Sequence, residues 1–225
     1  MSLKTIFKSR VPAILWNALR KAKSISMSSI YRVKLVRYRL FGRPYYAAES
    51  TKARPRRLRE GYFHSYCSGK GLDIGYGGDI IVNGCQGWDY EHGDAQYLSG
   101  LRDTSFDFVY SSHTLEHMKE PGVALANWWR VLKVGGYLLL YLPHRDLYEK
   151  KVSLPSRWNH DHKHFFLLDR DEPPSTIGVL PLIHGTLTGY VVEYAKLCSA
   201  GHTITDPEIH SDGEFSIEVV IKKAT

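Results

Sequence analysis

The sequence is poor in cysteine, with three in 225 residues. Cys67, Cys85 and Cys198 are widely separated and odd in number, and none has the spacing of metal ligands. Small secreted domains that depend on disulfides carry even sets of closely spaced cysteines. The pattern argues against a disulfide framework and favours a reducing compartment, so we expect a cytoplasmic protein.

Acidic residues are missing from the first 48 positions, and the first one is Glu49. Residues 1–60 hold 16 of the 30 lysines and arginines and only two acids, which gives this segment a formal net charge of +14. The remaining residues carry −7. Such a division indicates a basic appendage on an acidic domain. We therefore divide the chain into a basic amphipathic N-terminal extension, 1–60, and a globular domain, 61–225.

The extension also lacks a long hydrophobic run. Its longest uncharged stretch, 11–19, is far shorter than the roughly 20 residues of a membrane-spanning helix. Apolar residues at helical spacing, with cations mostly apart from them, predict helices that can lie on a surface. If cations of residues 1–43 reach an anionic membrane, each contributes about 1 kcal/mol to attachment. Packing on the domain, binding to nucleic acid and a mitochondrial targeting role stay open.

Glycine residues are concentrated in one short segment of the chain. Residues 71–79 read Gly-Leu-Asp-Ile-Gly-Tyr-Gly-Gly-Asp, a short apolar strand that runs into a glycine-rich turn. Gly75 and Gly77 have no Cβ, so the backbone can take positive φ there and a ligand can lie against the main chain. We expect Asp73, at the end of the strand, to face that ligand.

Further motifs follow in order. Asp89 can accept hydrogen bonds from ribose hydroxyls, and Asp94 can accept one from an exocyclic amine. Residues 105–112 predict a buried strand, 120–133 an amphipathic helix closed by Gly135, and 137–140 another strand. Near the end, 190–197 and 215–222 predict the two strands of an antiparallel hairpin.

In order and spacing, the segments LDIGYGGD, WDY, GDAQYL, FDFVYSSHTLEH and RVLKVGGYLLL resemble the class I S-adenosylmethionine-dependent methyltransferases. They are also similar to the compact methyltransferases often encoded with bacterial surface-glycan assembly enzymes. The resemblance implies an α/β fold with a Rossmann-like sheet in residues 61–225, and S-adenosylmethionine as cofactor. The cofactor-binding residues that it implies are Asp73, Gly75, Tyr76, Gly77, Asp89, Tyr90, Asp94, Ala95 and Ser111.

One feature departs from the family pattern. Only short segments separate the glycine turn from Asp89 and Asp94. We therefore expect a sheet that is shortened between the first and fourth strands, with a short first helix and a third strand that is vestigial or absent.

Methyl transfer to a hydroxyl needs a group that removes the acceptor's proton. His113 and His117 follow the fourth strand, at the edge where this class of fold binds ligands. They are four apart, so on a helix they would share a face. His144 follows the fifth strand. We predict these three histidines as catalytic candidates, with packing beside Glu116 as the alternative for His117.

A second polar cluster, 158–164, reads Trp-Asn-His-Asp-His-Lys-His. Imidazole and carboxylate ligands suit a divalent cation. No second ligand cluster with recognisable spacing accompanies it, so we predict no metal site and assign the region to the acceptor. The predicted substrate-binding residues are Arg145, Arg157, His160 and His162, whose donors suit sugar hydroxyls or a phosphate.

These observations predict methyl transfer from S-adenosylmethionine to an oxygen of a small-molecule or glycan acceptor, either lipid-linked or close to a membrane. The protein would be cytoplasmic or peripheral to the inner face of the membrane. The fourth strand ends in Ser-Ser-His-Thr rather than an Asn/Asp-Pro-Pro-aromatic signature, which disfavours nucleic acid but leaves it open. The alternatives are RNA methylation, lipid or quinone methylation, and a non-catalytic S-adenosylmethionine-binding regulatory protein.

Overall fold

The structure is a computed structural model that describes residues 49–225. The predictions for residues 1–43 lie outside the described residues. The helices are α1 Glu49–Arg59, α2 Tyr62–Tyr66, α3 Pro121–Arg130, α4 Arg145–Tyr148 and α5 Val179–Thr186. The strands are β1 Gly71–Ile74, β2 Gln86–Trp88, β3 Phe106–Ser112, β4 Leu132–Pro143, β5 Phe165–Leu167, β6 Thr176–Gly178, β7 Tyr190–Cys198 and β8 Ser216–Lys223.

Six of the strands form one mixed sheet in the order β2-β1-β3-β4-β8-β7. The first four run parallel, and β8 pairs antiparallel with both β4 and β7. The predicted α/β class, the Rossmann-like sheet and the closing antiparallel hairpin are confirmed. Strands β5 and β6 form a small separate parallel pair after the long strand β4.

The sheet is shortened between β1 and β3. Residues 75–85 contain turns and bends but no helix, so the expected short first helix is wrong. No strand occurs between β2 and β3, and β2 lies at the edge of the sheet. Buried Ile81 and Leu98 fill space in these irregular segments. Single apolar side chains thus cover the sheet where regular elements are missing.

Helix α3 packs its apolar face on the core. Trp128 is fully buried and Trp129 nearly so, which confirms the core interpretation of this pair. The helix starts at Pro121, where a missing N–H costs nothing. It ends at Arg130 rather than near residue 133, and Gly135, with a φ of +82°, lies inside β4. The prediction that Gly135 caps the helix is therefore wrong.

Helix α1 belongs to the same compact unit as the sheet, so the folded unit begins before residue 61. Its Arg57 is fully buried. Arg57 Nε donates to Glu218 Oε2 at 2.7 Å, and its Nη1 donates to the Tyr110 hydroxyl at 2.9 Å. The guanidinium also lies over the rings of Tyr62 and Tyr141. A buried ion pair therefore joins α1 to β8. No helix among residues 49–225 is long and apolar enough to cross a membrane.

We predict that Glu218→Gln destabilises the protein by about 3–5 kcal/mol, because it leaves the buried Arg57 charge uncompensated. Burial alone would raise the pKa of Glu218, but Arg57 and Arg56 outweigh it and hold the pKa below its usual value. The contribution of this carboxylate is therefore present at neutral pH and lost as the pH falls through the lowered pKa. Urea unfolding at several pH values measures it.

The matched control is Glu60→Gln, which removes an exposed partner of Arg56 and should cost at most about 1 kcal/mol. Equal losses in the two variants would contradict the assignment of a buried, energetically important ion pair.

Candidate active site

The glycine turn begins directly after β1. Gly75 has a φ of +73°, and its N–H donates to the Trp88 carbonyl at 2.8 Å. A Cβ at Gly75 would lie 2.0 Å from Thr114 Oγ1, which donates to the Ile74 carbonyl at 3.1 Å. The turn is therefore held against the residues that follow β3, and only glycine fits at position 75.

Asp73 lies in β1 and is almost completely buried. Its Oδ2 accepts a hydrogen bond from the Ile81 N–H at 2.7 Å. Burial raises the pKa of Asp73 to about 8, although the Ile81 hydrogen bond opposes this. In this structure the carboxyl group joins the two ends of the glycine loop, and its predicted contact with the cofactor stays a prediction.

Asp89 brings the end of β2 to the same loop. Its Oδ2 accepts from the Gly77 N–H at 3.1 Å, and its Oδ1 accepts from the Tyr90 N–H at 2.8 Å. The Tyr90 ring is 81% exposed. The Tyr76 ring lies over Gly87, where an added Cβ would approach it to 2.7 Å. The structure thus brings these predicted cofactor residues together around one glycine loop.

The remaining candidate cofactor-binding residues, Asp94, Ala95 and Ser111, lie outside the glycine loop. Asp94 forms a local turn, in which its Oδ1 accepts from the Gln96 N–H at 2.8 Å. The Ala95 carbonyl accepts from Trp128 Nε1 at 2.8 Å, which fixes this segment on α3. Ser111 pairs in register with Ile74, and its buried hydroxyl has no hydrogen-bond partner among residues 49–225. A buried, unused hydroxyl beside the glycine turn is consistent with a ligand contact.

His113 follows β3 in a left-handed conformation, with a φ of +49°. Its N–H donates to the Tyr141 carbonyl at 2.8 Å, and its Nε2 lies 2.9 Å from Ser216 Oγ. Burial, with the nearby His162 adding to it, holds the pKa of His113 well below its usual value. His117 ends a short 3₁₀ turn, Leu115–His117, which does not include His113, so the two histidines do not share the face of a helix.

The two histidines meet instead around Glu116, which is completely buried. Glu116 Oε1 lies 3.9 Å from His113 Nδ1, 3.9 Å from His117 Nε2 and 3.7 Å from His162 Nε2. Neither carboxylate oxygen of Glu116 has a hydrogen-bond partner among the described residues. Burial raises the pKa of this carboxyl group to about 7. We call Glu116, His117 and His162 the Glu116 cluster.

Two further carboxylates contact the outer nitrogens of this cluster. His162 Nδ1 lies 2.7 Å from Glu149 Oε1, and His117 Nδ1 lies 3.1 Å from Asp161 Oδ2. Sequence reasoning gave no role to Glu149, because it is separated from His162 by 13 residues without recognisable spacing. In the sequence, Glu116 lies between the candidate histidines His113 and His117, and this position could have identified it as a residue of the site.

The other predicted residues lie in different settings. His144 caps α4, with Nδ1 accepting from the Asp146 N–H at 3.2 Å. Arg145 is buried and bonds to Asp146 and Glu172, while Arg157 pairs with Glu208 at 2.6 Å. His160 is exposed. Of the predicted substrate residues, only His162 belongs to the Glu116 cluster.

We predict that Gly75→Ala lowers affinity for S-adenosylhomocysteine at least 10-fold, because the new Cβ displaces Thr114. The matched control is Gly100→Ala, which has a similar φ of +89° but no atom within 4 Å of the added Cβ. Both variants should lose about 1–2 kcal/mol of stability from left-handed strain, and Gly75→Ala should lose about 1–3 kcal/mol more because its Cβ overlaps Thr114. Calorimetric titration and thermal unfolding separate the two effects, and equal affinities would contradict the steric account.

Residues 72–140 match a family model described as a methyltransferase domain. The segment begins within β1 and ends within β4, so it includes the glycine loop, Asp89 and the Glu116 position. A comparison with curated proteins gave no match.

Several solved structures are similar to this chain. One is a methyltransferase from Thermotoga maritima, titled a possible histamine N-methyltransferase, at 17% identity and a TM-score of 0.49, covering 88% of this chain and 97% of that one. Another, from Archaeoglobus fulgidus, is 16% identical at a TM-score of 0.46, covering 83% and 99%. A third, from Methanosarcina mazei, is 17% identical at 0.45, covering 72% and 96%.

The residues around the loop fit the family's cofactor. Positive-φ glycines leave the main chain open to a ligand, and the Ser111 hydroxyl lacks another use among the described residues. Asp73, Gly75, Gly77 and Asp89 would hold the cofactor there. With the matched segment and the strand order, these features support a class I S-adenosylmethionine-dependent methyltransferase domain, which contains residues 72–140 and uses S-adenosylmethionine as its cofactor.

Proposed function

We propose that this enzyme methylates a hydroxyl oxygen of a small-molecule or glycan acceptor that is lipid-linked or close to a membrane. The observation that carries the proposal is His113, an imidazole held at the end of β3 beside the glycine loop. A neutral amine attacks through a lone pair that it already has, whereas a hydroxyl must lose its proton. An oriented imidazole at this position is the group that oxygen methylation needs.

The orientation of His113 is imposed by the fold. A non-glycine residue with positive φ is strained, and such strain is retained where the surroundings hold it in place. Here the Tyr141 carbonyl fixes the backbone and Ser216 fixes the ring. The rings of Tyr141, Tyr148 and Phe215 surround the imidazole at 5.7–6.3 Å between centroids. These contacts restrict the imidazole to one direction at the carboxyl edge of the sheet.

Methyl transfer at this site depends mainly on how the acceptor oxygen is positioned. Bound S-adenosylmethionine supplies an electrophilic methyl group on a sulfonium. The chain must align the acceptor oxygen and accept its proton, and alignment supplies much of the acceleration. We assign proton acceptance to His113.

The acceptor class rests on the polar segment 150–164 and on the sequence of the extension. His160 is exposed and Arg157 is half-buried, so both can contact hydroxyls or a phosphate near the site. The cations of residues 1–43 supply the membrane part of the proposal, through attraction to anionic lipid.

We predict that His113→Asn lowers kcat at least 100-fold and changes the affinity for S-adenosylmethionine by less than about 3-fold, because general base catalysis is typically worth 10²–10⁴. Asparagine tolerates the left-handed backbone, so the fold should survive. The measurement is transfer of labelled methyl to glycans, lipid-linked glycans, quinones and RNA, with each hydroxyl acceptor paired with its deoxy analogue.

The control is His64→Asn, an exposed histidine on α2, which should keep the original kcat. Methylation of the deoxy analogues, of nitrogen or of RNA in place of the hydroxyl would contradict the proposal. So would an unchanged kcat in His113→Asn.

We predict that the full-length chain sediments with anionic vesicles and that a glutamine variant at five cations does not. Each lost cation removes about 1 kcal/mol, so partitioning should fall at least about 100-fold. The substituted residues are Arg32, Lys34, Arg37, Arg39 and Arg43. Neutral phosphatidylcholine vesicles are the control, and equal binding by both proteins would contradict membrane attachment through this segment.

A further inference from the structure

Glu116 is a buried charged side chain in the Glu116 cluster. It is completely buried, and its two carboxylate oxygens have no hydrogen-bond partner among residues 49–225. Buried carboxylates are expensive unless they are paired, hydrogen-bonded or bound to a metal. Glu149, buried equally deeply nearby, shows the contrast, because it accepts from Ser156 Oγ at 2.7 Å and from the Arg157 N–H at 3.3 Å. The surroundings of Glu116 therefore lack a positive partner.

The neighbouring imidazoles point their inner nitrogens at this carboxylate. His162 directs Nδ1 to Glu149, and His117 directs Nδ1 to Asp161. Since a carboxylate accepts, Nδ1 of each ring is the donor, and a neutral ring then carries its lone pair on Nε2. Both Nε2 atoms face Glu116 Oε1 at 3.7–3.9 Å, which is too long for a hydrogen bond. Three electron-pair donors converge on a space between them.

We infer that Glu116, His117 and His162 bind one first-row divalent cation of the zinc type. One ligand atom from each residue lies within 4.8 Å of the other two. Ligands about 2.1 Å from a shared ion at a tetrahedral angle stand roughly 3.4 Å apart. The Glu116 Oε1 to imidazole distances, 3.7–3.9 Å, need a small contraction, and no pair of ligand atoms needs to approach by more than about 1.4 Å. This inference departs from the prediction, made from sequence, that the chain has no metal site.

The outer carboxylates strengthen the inference. Histidines that bind a metal almost always donate their other ring N–H to a carboxylate, a carbonyl or water, which fixes the ring. Glu149 and Asp161 supply such partners to the two histidines independently. Two imidazoles and one carboxylate suit Zn²⁺, Fe²⁺, Co²⁺ or Mn²⁺ better than Mg²⁺ or Ca²⁺, which prefer oxygen.

Three protein ligands leave at least one coordination position for another molecule. If the proposed function is correct, that position lies next to His113, whose Nδ1 is 3.9 Å from Glu116 Oε1. The cation would then hold the acceptor's hydroxyl oxygen while His113 takes its proton. This role rests on the proposed function, whereas the binding site itself does not.

The test is binding of Zn²⁺ and Co²⁺ to the full-length, chelator-treated protein, by equilibrium dialysis with elemental analysis and by Co²⁺ absorption. We expect one ion per chain with at least micromolar affinity, and much weaker binding of Mg²⁺. Glu116→Gln should lower the affinity at least 100-fold, and Glu149→Leu, which removes the acceptor that orients His162, should lower it 10–100-fold. His117→Asn repeats the test at a partly exposed ligand if Glu116→Gln does not fold.

The matched control is His164→Asn, because His164 belongs to the same segment but its Nε2 faces the Lys119 carbonyl. Its affinity should stay within about 2-fold of the original. S-adenosylhomocysteine binding by each variant reports that the fold is intact. The inference is overturned if no ion binds, if Glu116→Gln binds as tightly as the original, or if His164→Asn loses as much affinity.

The two proposals fail in different ways. Ion binding without methylation of any hydroxyl acceptor would keep the metal site and overturn the proposed function. If the chain binds no ion but still methylates a hydroxyl acceptor, the proposed function is kept and the metal site is overturned.

Discussion

The contact between Gly75 and Thr114 is the constraint on which the site depends. It joins the loop that follows β1 to the segment that follows β3, and it leaves no room for a side chain at position 75. Thr114 lies between His113 and the Glu116 cluster in sequence. The distance from the glycine loop to these polar groups is therefore set by backbone packing and one hydroxyl, rather than by flexible side chains.

Several residues of the site come from the part of the chain that follows β4. Residues 150–164 return to the end of β3, where the Lys163 N–H donates to the Glu116 carbonyl at 2.8 Å. This return brings His162 and Asp161 to residues that precede them by more than 40 positions. One of the three members of the Glu116 cluster, His162, and both outer carboxylates, Glu149 and Asp161, therefore lie after β4, outside the segment 72–140 that matches the methyltransferase domain.

Local pattern was enough to predict the parts of the fold that depend on neighbours in sequence. The apolar run of β3, the glycine turn and the closing hairpin each carry their signal within a few residues, and all three were predicted. The failures have physical reasons too. Gly135 looked like a helix cap because a positive-φ glycine after a helix usually is one, but here the chain had already entered β4.

The site was harder to predict, because its contacts are long-range. The position of His113 and His117 after the fourth strand predicts that they lie at the ligand-binding edge, but it does not predict that Glu116 lies between their rings. His162 was recognised but assigned to an acceptor, since nothing in its spacing indicates Glu149. Pairing of a histidine with a carboxylate 13 positions away depends on the path of the loop between them, which periodicity does not contain.

The charges of Glu116 and Glu149 and the lone pairs of the facing imidazoles indicate which occupant suits the Glu116 cluster. Glu149 is stabilised as an anion by donors from Ser156, Arg157 and His162, whereas Glu116 has none among the described residues. The nearby Glu149 carboxylate makes ionisation of Glu116 more costly, and this repulsion adds to the effect of burial, which raises the pKa of Glu116. A proton on Glu116 would relieve the repulsion, but its single O–H could donate to only one of the two facing Nε2 atoms. A divalent cation satisfies the carboxylate and both imidazoles together, so it is the occupant that the arrangement of donors favours.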